Sequence, residues 1–236
     1  MTRRVKGEGR SPDGRSDRWS VHRASRRADL VAAAVAAIDA HGPEASVADI
    51  AATAGVSKPV LYRYFDDKAQ LHAAVGSWGA DLVLSRLAPA IEAPLPIEQR
   101  VRAGVDAYLS TIDEHPNVFL LLVRHRTDGQ SDPLADGKAA IAATLARVMG
   151  DTLRALGVDA AGAEPWAHGL VGLGLATGEW WLTRRTMSRS AVSDYLSAFV
   201  WHAFAGITGS YGLTLPDADG ALHLVTDDIL RRESGS

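Results

Sequence analysis

Between Val47 and Phe65 the chain sets a small residue, Ala51, four positions ahead of a glycine, Gly55, with aliphatic residues on both sides. Two helices that cross steeply through a tight turn need a small residue where their backbones approach. The turn itself needs a residue tolerant of positive φ, which costs glycine least. Ile50 anchors the first helix to a core, Val56 and Leu61 plug the seam, and Phe65 turns inward with Leu61. Together these spacings describe a helix-turn-helix.

The rest of the chain reads as helix as well. Alternating strand patterns are absent, and Gly and Pro punctuate a series of helical periods. "RRADLVAAAVAAIDAHG" predicts a first helix whose Leu30, Ala34 and Ile38 face inward and which ends at Gly42-Pro43. Ser46 caps the next segment, with Asp49 three residues on, close to a capping box. Gly55 stops that helix and Ser57 caps the one after it. A long helix is expected from about Asp67 to Leu87, where Pro89, Pro94 and Pro96 break the pattern. Further helices are expected near 97–114, 116–126, 134–156, 163–186 and 190–211. The fold class is therefore all-α, about nine helices, with an N-terminal three-helix helix-turn-helix domain and a larger helical body. The expected division is 1–22 as a basic disordered extension, 23–72 as the helix-turn-helix domain and 73–236 as the body.

Composition narrows the chemistry. There is no cysteine, which excludes disulfides, thiolate chemistry and cysteine-ligated metals. The most apolar run, "WAHGLVGLGLATGEWWL", carries His168, Glu179 and four glycines and is short for a bilayer, so no membrane partner is expected and the location is read as cytoplasmic. Net charge is -3, but residues 1–27 hold nine Lys+Arg against three Asp+Glu, leaving 16 against 25 in the rest. A basic end on an acidic body fits a polyanion partner at that end, or a solvated tail over the first twenty residues.

On the second helix of the motif, Ser57, Lys58, Pro59, Tyr62 and Arg63 project outward. The helix N-terminus attracts phosphate through its free N–H groups and dipole. Tyrosine hydroxyls and Lys68 add phosphate hydrogen bonds that fix register without reading sequence. Lys58 is placed to reach guanine O6 and N7 in the major groove, and Pro59 or Val60 a thymine methyl. Arg63 joins them as a base-edge candidate. Taken singly, the two tyrosines read rather as rim aromatics of a three-helix core, and the lysines as solvated charge. As one spaced set they point to duplex DNA.

"SVADIAATAGVSKPVLYRYFDDKAQLHAAV" closely resembles the DNA-binding segment of TetR/AcrR-type transcriptional regulators, with Gly55, Leu61, Tyr62, Tyr64, Phe65 and Lys68 where that family has them. The match covers about residues 26–75 and weakens sharply after residue 90. It implies a homodimer, a pseudo-palindromic operator, release from DNA on binding a small molecule, and a body that binds ligand and dimerises. By position it implies phosphate contacts from Ser46, Ser57, Tyr62, Tyr64 and Lys68. The base-edge set is Lys58, Pro59, Val60 and Arg63. In some relatives an N-terminal arm enters the minor groove, which makes Arg23, Arg26 and Arg27 candidates.

The helix from Ala163 is apolar nearly all round, which means burial on two sides. Gly169, Gly172 and Ala176 mark a face where a partner helix can come close, and Leu196, Phe199, Ala203 and Ile207 a matching face on the next helix. Either a four-helix dimer seam or a buried helix pair satisfies them; a dimer is favoured because two recognition helices ~34 Å apart read one face of a duplex. "GLGLATG" lacks the G-x-G-x-x-G spacing and a preceding strand, so it is packing rather than a nucleotide loop. Pocket candidates are Phe119, Trp166, Trp180, Trp181 and Trp201, with His125 and Glu179 as polar groups. Tryptophan-rich walls suit an apolar or aromatic effector, although each Trp alone is more often core or dimer seam than ligand wall. No catalytic triad, H-E-x-x-H or P-loop is present, and no cofactor or metal is expected. The reading is a ligand-responsive DNA-binding repressor, not an enzyme. The alternatives are a helical carrier or enzyme with a vestigial helix-turn-helix, and a DNA binder without effector.

Overall fold

No glycine or proline interrupts residues 15–41, and the first helix, α1, runs Gly14–His41. The computed structural model describes residues 14–124, 132–214 and 223–224, with side chains described over 21–124 and 132–213. Residues 14–22, expected as disordered extension, are thus the opening turns of α1, because nothing in that stretch stops a helix. Leu30, Val31, Ala34, Val35 and Ile38 form its buried stripe, and Gly42 ends it at φ +92° with its N–H on the Ile38 carbonyl.

α2 (Val47–Thr53) and α3 (Lys58–Leu61) follow. Ser46 and Asp49 close a full capping box. Gly55 adopts φ +64°, and the Val56 N–H closes the turn on the Ala51 carbonyl. A Cβ on Gly55 would meet nothing within 4 Å, so the requirement there is backbone conformation rather than space. α3 is four residues long. Its hydrogen bonds pass from Tyr62→Lys58 to the tighter Arg63→Val60 and Tyr64→Leu61, which ends the regular helix while still turning Phe65 into the core.

α4 (Lys68–Glu92) begins in the helix-turn-helix core through Leu71, Ala74 and Val75 and continues into the body, packing on α5 (Ile97–Glu114). The expected boundary after residue 72 therefore falls inside a helix. Pro89 does not end α4, as expected, but sits within it. The missing N–H removes one bond near the helix end, where buried Leu87 and Ile91 hold the turn against the body. α6 (Pro116–Arg124) also joins the core around α1, through Val118, Leu121 and Leu122. α7 (Ala135–Ala155) packs on α4 and on α8 (Ala163–Arg184), while α9 (Arg189–Ser210) packs on α5. These body helices begin and end within two residues of the expected positions. One short antiparallel pair was not foreseen: β1 (Leu213–Thr214) on β2 (His223–Leu224), two residues each and below the reach of an alternation pattern.

Candidate DNA-binding surface and ligand cavity

Around α3 the chain exposes polar side chains that no described residue engages. Ser57 occupies the N-cap at φ -81°, ψ 156°, but its hydroxyl makes no capping bond. Lys58, Pro59, Arg63 and Lys68 are exposed, Tyr62 is 44% exposed, and Val60 is half-buried beside them. The acidic neighbours are occupied: Asp67 caps α4 by accepting from the Gln70 N–H at 2.7 Å, and Asp66 accepts from the Gln70 amide at 3.0 Å. With Arg23 and Arg27 beside Lys58, Arg63 and Lys68, cations outnumber these two carboxylates on the surface. Two candidates differ from the rest. Tyr64 packs half-buried against the core around α1. The Ser46 hydroxyl donates to Asp49 Oδ2 at 2.7 Å and accepts from the Asp49 N–H, so capping already uses it. With one turn of helix, α3 also carries little of the macrodipole that was expected to attract phosphate.

The minor-groove candidates are not in an arm. Arg23, Arg26 and Arg27 lie on α1, whose helical width does not enter a narrow groove as an extended segment does. Arg23 donates to the Arg63 carbonyl at 3.5 Å, Arg26 pairs with Asp29 at 3.6 Å, and the Arg27 guanidinium lies 4.8 Å from the Phe65 ring centre. Their charge supports the α3 surface from the side.

The body encloses a cavity of about 520 Å³ between α4, α5, α7, α8 and α9, with an almost wholly apolar wall. One stripe of α5 runs along it, Arg100, Val101, Gly104, Val105, Tyr108, Thr111 and Ile112, and is continued by the capping residue His115. Gly104 lets α4 approach, since a Cβ there would lie 2.7 Å from Ile91 Cγ2. The Tyr108 hydroxyl donates to the Gly174 carbonyl at 2.8 Å, and burial pushes its pKa upward. At one end Trp78 and His115 meet edge to face, 5.1 Å between ring centres. There His115 Nδ1 lies 2.7 Å from Asp39 Oδ2 of α1. Basic groups on the wall are otherwise Lys138, paired with Asp132, and Arg100, which has no described carboxylate partner.

Of the expected pocket residues, Phe119 and Trp166 line this cavity. Trp181 does not: it is buried against α5 and α6, donates its indole N–H to the Met187 carbonyl at 3.0 Å and stacks under Arg185. Trp180, one position earlier, points outward and is 40% exposed. Trp201 fills a separate core with Leu153, Val158 and Phe204. Glu179 lies beyond the end of the lining on α8, and His125 lies outside the described residues. Arg100, Tyr108 and His115 were missed; an apolar stripe on α5 interrupted by one arginine was the available signal.

The expected seam residues divide. Gly169, Gly172, Ala176, Phe199 and Ala203 are exposed, Ile207 is half-buried and Leu196 is buried. A Cβ on Gly169 or Gly172 would touch nothing, whereas one on Gly178 would come within 2.9 Å of Phe119, Tyr108 and Ile112. Tight packing thus accounts for Gly178, against α5 and α6, whereas a Cβ on Gly174 would make only ordinary contact with Tyr108 at 3.5 Å. α8 and α9 make little contact with each other, and Gly169, Phe199 and Ala203 are both exposed and part of the lining, so the cavity opens between these helices.

Residues 30–75 match the family described as bacterial regulatory proteins, tetR family, and residues 86–212 match the tetracyclin repressor-like C-terminal domain. The likeness therefore does not stop near residue 90. The chain is 34% identical over 214 residues to the HTH-type transcriptional regulator Rv0472c of Mycobacterium tuberculosis (strain ATCC 25618 / H37Rv), covering 90% of this chain and 91% of that protein. It is 29% identical over 198 residues to the HTH-type transcriptional activator FasR of Mycolicibacterium smegmatis (strain ATCC 700084 / mc(2)155), covering 83% and 90%. Among solved structures, FadR of Bacillus subtilis in complex with stearoyl-CoA superposes with a TM-score of 0.60 at 15% identity, covering 72% of this chain and 95% of that one. With a helix-turn-helix presenting an unpaired basic surface and both family domains matched, the chain belongs to the tetR family of bacterial regulatory proteins and is a DNA-binding transcriptional regulator.

Proposed function

We propose that this regulator acts as a homodimer whose grip on a pseudo-palindromic operator is released when a long apolar molecule fills the cavity of the body. The observation that carries this reading is the cavity itself: about 520 Å³, within the range of small-molecule sites, apolar along its length, and ending beside α1 at His115. The FadR neighbour, solved with stearoyl-CoA, supports a long acyl chain as the class of ligand. Ser57, Tyr62 and Lys68 hold phosphates in this reading, while Lys58, Pro59, Val60 and Arg63 face base edges. Ser46 is left out because its hydroxyl is committed to Asp49.

The exposed glycine face of α8 and the Phe199–Ala203 face of α9 form the seam, and a second copy seated there covers the mouth of the cavity. Ligand in the cavity displaces α4 and α6, which both pack on α1, and so changes the separation of the two recognition helices. Release relieves repression where an operator overlaps a promoter and ends activation where it lies upstream; the FasR relative is named an activator. The test is operator binding at fixed salt, on a site obtained by selection from random duplexes, with and without stearic acid and stearoyl-CoA. Weaker binding with either supports the reading. Unchanged binding, or turnover of the added compound, rejects it.

A further inference from the structure

Arg100 sits at the end of the cavity away from the DNA-binding domain and is out of place in its wall. A guanidinium carries five N–H donors and stays charged in proteins. Here Nη1 reaches the Ile91 carbonyl at 3.3 Å and Nη2 the Thr152 hydroxyl at 3.5 Å, both long for hydrogen bonds. The buried Nε has no partner at all. Burial alone, with no carboxylate opposing it, pushes the Arg100 pKa down. The other basic groups on the wall are matched: Lys138 with Asp132 and His115 with Asp39. An uncompensated charge inside an apolar chamber is costly, and it is relieved when an anion arrives.

Resting on the acyl-ligand reading above, we infer that the effector is a long-chain amphiphile with a compact anionic head, and that Arg100 receives that head, a carboxylate being the group that matches its fork. Arg100 on α5 and His115, the residue that caps its C-terminus, stand fifteen positions apart, roughly 22 Å at the helical rise. A head group on Arg100 therefore directs a long tail toward Trp78 and His115, the end of the cavity that touches α1. A short chain held by the same head does not reach it. Arg100 then sets both the polarity of the ligand and the length at which it is sensed.

The test uses the full-length protein and three probes of equal chain length: stearic acid, stearyl alcohol and stearoyl-CoA, with binding read by calorimetry. The acid should bind the native protein ~10–100-fold more tightly than the alcohol, the size of one charge-assisted hydrogen-bonded contact. Arg100→Met should bring acid and alcohol to within a few-fold of each other, and Arg100→Lys should restore part of the preference. Because the methionine replaces an unpaired charge with an apolar stem, the ligand-free variant should melt at or above the native temperature, which separates lost recognition from lost folding. Equal binding of acid and alcohol to the native protein overturns the inference while leaving an apolar effector intact. So does a preference for acid that survives Arg100→Met, or binding of stearoyl-CoA without binding of the acid. If none of the three probes binds, the acyl-ligand reading itself falls, and this inference with it.

Discussion

His115 Nδ1 lies 2.7 Å from Asp39 Oδ2, and this contact joins the wall of the body's cavity to the first helix of the DNA-binding domain. The Asn117 amide adds a hydrogen bond to the Asp39 backbone carbonyl at 3.0 Å, and Trp78 of α4 packs its ring edge to face with His115. Three elements that face the cavity or flank it therefore meet one turn of α1. If ligand occupancy is transmitted through this corner, Asp39→Ala should retain binding of stearic acid but lose most of its effect on operator affinity. An allosteric coupling of the usual size, about 5–150-fold, should shrink to within about 3-fold. Titrating operator binding with and without the acid checks this, and an undiminished response places the coupling elsewhere.

Lys58 and Tyr62 are expected to fail differently. Lys58→Ala should relax selection at one base position in each half-site, at a cost of about 1–3 kcal/mol on the preferred sequence. Tyr62→Phe should weaken all sequences alike, because a phosphate contact carries no base information. Selection from random duplexes, run on both variants, separates the two effects.

The glycines of α8 face two environments. Gly178→Ala should destabilise the fold by about 1–3 kcal/mol, since its Cβ would come within 2.9 Å of three side chains at once. Gly172→Leu meets open space within the chain and should leave the thermal transition of the subunit near its native value. It should instead raise the dimer dissociation constant, because a bulky side chain keeps the partner helix away. Sedimentation equilibrium and thermal melts on the pair distinguish core from seam.

The capping box predicts an acid-sensitive term. The Ser46 hydroxyl, then the Ser46 N–H, hold the Asp49 carboxyl below its ordinary value. A carboxylate with a depressed folded pKa contributes stability that is present above its unfolded value of about 3.9 and is lost as pH falls through the folded one. Ser46→Ala should cost about 1 kcal/mol near neutrality, the usual loss for an N-cap, and the deficit should narrow on acidification through that window. Urea midpoints of both proteins across the acid range check the sign.

The helix-turn-helix was legible because its requirements are local. Ala51 and Gly55 answer to a turn between adjacent segments, and the outward side chains follow from helical spacing over a dozen residues. The same reasoning overran at the ends. Pro89 read as a terminator, yet packing of Leu87 and Ile91 carries α4 past it. Arg23, Arg26 and Arg27 read as an arm because charge marks a partner without stating backbone shape.

The cavity was not legible in the same way. Tryptophan count pointed to Trp181 and Trp201, which fill cores, because composition does not distinguish a wall from an interior. Arg100 and His115 acquired their setting only when α5 was laid against α4, α7 and α8. By itself the sequence determined which segments of the body are helical and which four-residue spacing bends two helices into a DNA-reading pair. Only the tertiary structure decided where the helices stand apart, leaving a chamber with one uncompensated charge, and that its far end rests on Asp39. A void and an unpaired group are properties of what is missing around a residue, and that depends on neighbours distant along the chain.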